Sequence, residues 1–439
     1  MPRGQYNPRM VDARGVSSVA ITPRGPVEAL VRPPASKSLT LRAMAAAAMA
    51  SGSSTLRGPL QADDTRLMAD ALGSLGIDLA WSDAALSVTG CGGKLPARGA
   101  ALDLGDAGTP LRLLTALCAT GRGRFVLDGS EQMRQRPISP LIEALRSLGV
   151  RARDIAGTGC PPVEIDADGF PGGSVTLDGE TSSQFVSALL MAAPGGGADT
   201  LVRARGNLVS RPYVDLTIQM MARFGAVVEQ AGEMAWRVDH AALYEARDVS
   251  IEADASSASY FMAAAAITGG RIRIGGIPPD SHQGDLVMLP LLSRMGCQVD
   301  RSEAEITVEG GPLRGLEADL SDAPDIVPTL AAVALYAAGP TRLHGVAHLR
   351  HKESDRLVSA AACVRALGGS AEVGPDSIAI IPPAAGRRGL TGALIDPAND
   401  HRLAMAFAVA GLGIPGVRIS NPGCVAKSFP GFFDQLGKL

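Results

Sequence analysis

Two hydrophobic patterns alternate along the chain. In the first, a helix-period apolar stretch ends in a bulky apolar residue and Gly, and a short alternating stretch follows. Its copies are ALGSLGIDLAW, ALRSLGVRARD, MMARFGAVVEQ, LLSRMGCQVD, CVRALGGSAEV and the terminal FFDQLGKL. The glycines Gly76, Gly149, Gly225, Gly296, Gly368 and Gly437 fall 69 to 76 residues apart. Gly in that place fits a helix C-cap in the left-handed conformation, and the alternation beyond it predicts a strand. In the second pattern an alanine-rich apolar helix runs through a Gly-bearing turn into a strand. Its copies are LRAMAAAAMASGSSTLRG, LRLLTALCATGRGRFVLDG, FVSALLMAAPGGGADTLVRA, YFMAAAAITGGRIRIGGI, VPTLAAVALYAAGPTRLHGV and RLAMAFAVAGLGIPGVRIS. Their marker glycines, Gly52, Gly121, Gly195, Gly269, Gly339 and Gly413, are 69 to 74 residues apart.

Two independent series with one period predict six copies of a unit of about 72 residues, each with two helices and three or four strands. The second-pattern helices are apolar on nearly every side, so they are expected to be buried. At 439 residues the chain exceeds the size at which a single core stops growing. An α/β (α+β) protein of two domains, three units each, is the natural partition.

The polar residues concentrate where the buried helices begin. The entries are PASKSLTLR (Lys37, Ser38, Arg42), GDAGTPLR (Gly108, Thr109, Arg112), GETSSQF (Ser182, Ser183, Gln184), EADASSASY (Asp254, Ser256, Ser257), DAPDIVP (Asp325) and NDHRLAM (Asn399, Asp400, His401, Arg402). Ordinary N-capping accounts for Ser256, Ser257 and Thr109. It does not account for Lys37, Arg42, Arg112 and Arg402, because cations at a helix N-terminus oppose its dipole. An anion bound there by free N–H groups and the basic side chain would remove the conflict. HKESDR, His351 to Arg356, adds four charges at the mouth of a first-pattern helix. Taken alone it would be a solvated face; beside the other entries it reads as a further part of an anion-attracting site.

Composition narrows the class. Apolar residues make up 46% and charged residues 19%, as in a compact folded protein. A net charge of −3 gives no basic field for nucleic acid, and aromatics at 4% leave little for base stacking. The six cysteines, 91, 118, 160, 297, 363 and 424, form no CxxC pair, which suits a reduced, cytoplasmic protein. No apolar run has membrane-spanning length. The opening MPRGQYNPRMVDARG has no apolar signal-peptide core and is read as a frayed tail.

The combined motifs KSLTLR, DAGTPLR, EQMRQRPI, DGETSSQFVSALLMAAP, LVSRPYVDLT, DASSASYF, HKESDR, NDHRLAMAF and CVAKSFP resemble the 3-phosphoshikimate 1-carboxyvinyltransferase family of enolpyruvyl transferases. They run from Lys37 to Pro430 in the family's order. The resemblance implies a two-domain inside-out α/β barrel of six βαβαββ repeats, three per domain. Residues 1–34 plus 253–439 would form the lower domain, 35–252 the upper, and the active site would lie in the interdomain cleft. Domain closure is expected, with the chain crossing near Pro33–Pro34 and Ala253–Asp254. The implied reaction moves the enolpyruvyl group of phosphoenolpyruvate to the 5-hydroxyl of shikimate 3-phosphate and releases phosphate. No cofactor or metal is implied. Both substrates carry a phosphate and a carboxylate, which explains the load of Arg and Lys.

Carried over onto this chain, the resemblance gives Lys37, Ser38, Arg42, Ser182, Ser183, Gln184, Ser210, Tyr213, Asp325 and Lys352 as contacts of shikimate 3-phosphate. It gives Lys37, Gly108, Arg136, Gln184, Arg356, Arg402 and Lys427 as the phosphoenolpyruvate cradle. Arg112 is either a contact or a structural pair, and Arg211 reads as a rim charge. Asp325 is expected to be the base for the 5-hydroxyl. Glu353 is expected to protonate the methylene carbon and to return as base in the elimination. Lys37 and Lys427 are expected to stabilise the departing phosphate. Gly108 leaves room for glyphosate, so sensitivity to that inhibitor is expected.

The chain departs from its relatives at two places. Asp106 stands where Asn is common, and adds negative charge unless it points away to cap. His348 stands where Asn is common and is read as its replacement. His344, His348 and His351 have spacing that would allow zinc, but the chemistry has no use for it. The sister activity on UDP-N-acetylglucosamine usually needs a cysteine in the loop here written GSEQMRQRP, which has none; Cys160 reads as an ordinary thiol. An RNA-end-processing relative is disfavoured by the charge balance. An inactive scaffold is disfavoured because Lys37, Asp325, Glu353, Arg402 and Lys427 are all present. A monomer is expected.

Overall fold

The computed structural model describes residues 9–11, 17–303 and 305–439. The chain divides into two compact units. One is Ala35–Glu252; the other joins Ala253–Leu439 to the N-terminal segment ending at Pro34.

Within Ala35–Glu252 the repeat is plain. Strand Gly99–Asp103 leads to helix Gly108–Cys118, strand Arg122–Asp128, helix Ser139–Ser147 and the strands Arg151–Asp154 and Val163–Asp168. The first two strands are parallel and the rest antiparallel, in one four-stranded sheet. The next copy, Gly173–Asp178 through Ala235–Val238, repeats the order around helices Ser183–Ala192 and Pro212–Arg223. The remaining copy begins with helix Lys37–Met49 and takes its parallel first strand from the far end of the unit, where Asp248–Ser250 pairs with Ser51–Arg57.

The other unit uses the same device. Strand Glu28–Val31 pairs in parallel with Arg271–Gly275 and completes the copy containing helix Ala255–Thr268. The copy from Glu317 to Ile381 is continuous, with buried helix Val327–Ala334 and outer helix Arg356–Ala366. The last copy holds helix His401–Ala410 between Leu394–Ile395 and Arg418–Ser420; its hairpin comes from Ser17–Ala20 and Arg9–Val11. Arg9–Val11 lies inside the stretch read as a frayed tail, so that reading fails for these residues: their backbone is paired. The rest of that stretch lies outside the described residues.

The second-pattern helices form the cores. All 14 residues of Ala255–Thr268 are buried, and so are all of Val327–Ala334 and His401–Ala410. Alanine permits this, because small side chains let helix backbones pack closely on one another with little cost in side-chain entropy. Five of the six first-pattern glycines have the left-handed φ that a cap demands, from 86° to 111°. Gly437 does not: at φ −67° it continues the last short helical turn. All six cysteines are free thiols. No helix among the described residues is long and apolar enough to cross a membrane.

Candidate active site

In Ala35–Glu252 the singled-out residues gather at the starts of the three buried helices and of Pro212–Arg223. Ser36 caps the Lys37 helix by accepting from Leu39 N, and Ser182 caps its helix by accepting from Gln184 N. Lys37 Nζ donates to Asp64 Oδ2 at 2.8 Å, and Asp64 is almost wholly buried. Arg42 is 1% exposed. Its Nε donates to Thr217 Oγ1 at 2.7 Å, Nη1 to Ser38 O at 3.0 Å and Nη2 to Tyr213 O at 3.1 Å. Three of the five guanidinium N–H groups therefore serve protein oxygens, leaving at most two to reach a ligand. Burial lowers the Arg42 pKa to about 10, which still leaves it a cation at neutral pH. Thr217 donates onward to Ser187 Oγ at 2.8 Å, tying this group to the Ser183 helix.

Gln184 ties in the next helix: its Oε1 accepts from Arg112 Nη1 at 3.0 Å and its Nε2 donates to Thr109 Oγ1 at 3.2 Å. Arg112 also donates to Pro137 O at 3.1 Å and lies over the Phe185 ring. Of the two readings left open for Arg112, the structure favours the structural one. Thr109, read as a cap, serves Gln184 instead. A Cβ at Gly108 would stand 2.7 Å from Arg136 Nη1 and 2.8 Å from Arg112 Nη1. Only glycine lets two guanidinium groups lie across this helix start. Ser210 has a left-handed φ of 56°, the kind of backbone strain that collects at working sites. Asp106 accepts from the Ser130 hydroxyl and so points toward the loop after strand Arg122–Asp128.

In the other unit the centre is Arg356, 1% exposed. Its Nε donates to Asp400 Oδ2 at 2.8 Å, Nη1 to Asp325 Oδ1 at 3.0 Å and Nη2 to Glu353 Oε2 at 2.6 Å. Arg402 Nη2 donates to Asp325 Oδ2 at 2.7 Å. Lys427 Nζ stands 4.0 Å from Glu353 Oε1. One arginine thus holds both carboxylates singled out for proton transfer. Burial alone would raise the Asp325 pKa; Arg402, then Lys352 and Arg356, override it and hold the group well below the ordinary range. Asp325 sits inside the 3-10 turn Pro324–Ile326, whose N-cap position is Ala323. The caps here are Asp355, Asp254 and Asp400, which accept from Val358 N, Ser257 N and Arg402 N. Ser256 and Ser257 are therefore not caps. Ser257 N receives the cap, and the Ser256 hydroxyl donates to Asp285.

The anions that the helix-start cations call for are in part the protein's own. Asp64 answers Lys37, Asp325 answers Arg402, and three carboxylates answer Arg356. Sequence reasoning missed Asp64, Asp285 and the ionic role of Asp400. The first two stand in ADDT and QGDL, which resemble ordinary helix starts. His348 is 5% exposed, and neither ring nitrogen has a hydrogen-bond partner. Burial, with Lys352 beside it, pushes its pKa down to about 3, so the imidazole is neutral. His351 is exposed. Partial burial raises the Cys160 thiol, the opposite of activation.

The sequence model of the family EPSP synthase (3-phosphoshikimate 1-carboxyvinyltransferase) matches residues 21–436. The chain belongs to this family. A 3-phosphoshikimate 1-carboxyvinyltransferase of Methanoculleus marisnigri is 44% identical over 420 residues, covering 95% of this chain and 98% of that one. The EPSP synthase of Acinetobacter baumannii, a solved structure, superposes with a TM-score of 0.79 at 26% identity, over 95% of this chain and 97% of that one. The enolpyruvyl transferase NikO from Streptomyces tendae, at 22% identity and a TM-score of 0.75 over 95% and 96%, shares the fold. The two-domain α/β architecture of enolpyruvyl transferases is thus the architecture of this chain.

Proposed function

We propose that this EPSP synthase family member transfers the enolpyruvyl group of phosphoenolpyruvate to the 5-hydroxyl of shikimate 3-phosphate, with the two residue sets serving one reaction. The observation that carries the reading is Arg356, which holds Asp325 and Glu353 with its two terminal nitrogens. Asp325, kept ionised by its cations, is suited to take the 5-hydroxyl proton. The hydroxyl oxygen then bonds to C2 of phosphoenolpyruvate while Glu353 protonates the methylene carbon. In the second half Glu353 removes a proton from the same carbon, the bond from C2 to the phosphate oxygen breaks, and phosphate leaves. Glu353 must carry a proton on entry, and displacement of Lys427 toward the incoming anions would lower its need to stay ionised.

Lys37 and Lys427 neutralise the departing phosphate. Ser38, Arg42, Ser182, Ser183, Gln184, Ser210, Tyr213 and Lys352 hold shikimate 3-phosphate, with neutral His348 adding a hydrogen-bonding group. Gly108, Arg136, Arg402 and Lys427 hold phosphoenolpyruvate, and Arg356 acts chiefly by placing the two carboxylates. Glyphosate inhibits by occupying the space that Gly108 leaves. The enzyme is a cytoplasmic monomer in this reading, in keeping with its free thiols. The domains close on the first substrate, which small-angle scattering with and without shikimate 3-phosphate plus glyphosate checks through a fall in radius.

Phosphate release from phosphoenolpyruvate, measured with either shikimate 3-phosphate or UDP-N-acetylglucosamine as acceptor, tests the function. Release with the first alone is expected. Release with the second alone would overturn it.

A further inference from the structure

Asp285 is a buried acid that the reaction above does not use. It lies in the 3-10 turn Gly284–Val287 and is 2% exposed. The buried Asp400 and the part-buried Asp325 and Glu353 of the same unit each meet an arginine. Asp285 meets none among the described residues: its Oδ2 accepts from the Ser256 hydroxyl and its Oδ1 has no partner. A buried carboxylate with one hydroxyl for company is costly in the charged form.

The surroundings point the same way. From the Ala255–Thr268 helix the Ser256 hydroxyl bonds Asp285; the charges of Asp325, in the Pro324–Ile326 turn, and of Asp254, the helix cap, raise its pKa, and that of Arg402, in the His401–Ala410 helix, lowers it. In the Met288–Met295 helix packed beside it, the one charged residue, Arg294, is turned to Glu317 O. The neighbouring Gln283 fixes the turn in place: its Oε1 accepts from Ala255 N at 2.9 Å and its Nε2 donates to Ala253 O at 2.8 Å. Two negative charges and one arginine, already bonded to Asp325, act on the group.

We propose that Asp285 is a positioning residue for Asp325: it stays an uncharged acid while Arg402 pairs with Asp325, and its ionisation draws Arg402 away from that pair. Burial, then the charge on Asp325, raises the Asp285 pKa to about 7, so the switch falls in the working range of pH. Below it, Arg402 and Asp325 keep the arrangement described. Above it, a second carboxylate competes for Arg402 and repels an incoming anion. The proposal rests on Asp325 being the base.

The test is infrared spectroscopy with kinetics on the full-length enzyme, comparing wild type, Asp285→Asn, Ser256→Ala and Asp325→Asn from about pH 5.5 to about pH 8.5. Wild type should show a carboxylic-acid C=O band that disappears across neutrality and is absent from Asp285→Asn at every pH. Ser256→Ala removes a bond to the charged form, so its band should persist to higher pH; this variant carries the test if Asp285→Asn fails to fold. The KM for phosphoenolpyruvate should rise about threefold or more with pH in wild type and stay level in Asp285→Asn, with kcat at low pH alike. Equal band intensity in wild type and Asp285→Asn, or superimposable KM profiles, would overturn the proposal. Full turnover by Asp325→Asn would instead remove the base assignment, and the band would still decide whether Asp285 holds a proton.

Discussion

In the Ala35–Glu252 unit, Arg42 and Arg112 rest on hydroxyl, amide and carbonyl oxygens. In the other unit, Arg356 and Arg402 rest on carboxylates. Neutral acceptors fix a guanidinium in place without cancelling its charge, so the first set remains an attractor for anions. Carboxylate partners cancel the charge and gain an orientation, so the second set holds carboxylates in fixed positions, as the proposed proton transfers require. Lys37, paired with Asp64, is the exception in the first unit. Of the cations there singled out as ligand contacts, it is the one also placed at bond cleavage, where an exchange of partners is useful.

The sharpest way to break this contrast is to delete the arginines. Arg356→Met leaves three carboxylates facing one another without their shared cation. Removing one partner of a buried pair costs about 3–5 kcal/mol, so chemical denaturation should show a loss of that size, with turnover gone. Arg42→Met leaves only neutral oxygens behind, and a loss of about 1–3 kcal/mol is expected. Equal losses would erase the distinction.

Gly108→Ala should spare stability and injure binding. The added methyl displaces the ends of Arg136 and Arg112 rather than any backbone. The KM for phosphoenolpyruvate should rise about tenfold, or about 1.4 kcal/mol, and glyphosate should lose at least as much. A variant with unchanged constants would show that the Arg136 guanidinium does not touch the ligand.

A further effect concerns pH and stability. Between the ordinary carboxylate value and about 7, folded Asp285 keeps a proton that the unfolded chain has released. Burying it therefore costs stability that grows as pH rises through that window and levels off above it. Asp285→Asn should gain on wild type across the same window when denaturation midpoints are compared. Asp325 has the opposite sign: its depressed pKa contributes stability that is present above the ordinary carboxylate value and lost as pH falls below it.

Much of the fold was legible because the repeat is written in glycine and alanine. A left-handed cap and a closely packed helix restrict residue type, and both restrictions recur at one period. The closing strands were not legible. Asp248–Ser250, Glu28–Val31 and Arg9–Val11 are three or four residues long, and the first two pair with strands roughly 200 residues away or more. Strands that short carry no pattern of their own. In the site, the cations stood out because a helix start is a poor place for them. Their partners Asp64 and Asp400 did not, and neither did Asp285, because all three stand where aspartate is ordinary. Ser256 misled for the same reason: its place in the sequence is that of a cap, while its hydroxyl serves a side chain from another segment.

The central claim is that Arg356 presents two carboxylates with different tasks. Single-turnover phosphate release, with wild type, Asp325→Asn and Glu353→Gln and both substrates present, tests it most directly. Both variants should bind shikimate 3-phosphate, seen as thermal stabilisation, and both should lose about 10²–10⁴ in rate. In deuterated water, wild type should place deuterium in the methylene of recovered phosphoenolpyruvate, and Glu353→Gln should not. Deuterium uptake by Glu353→Gln at the wild-type rate, or a full rate in either variant, would contradict the account.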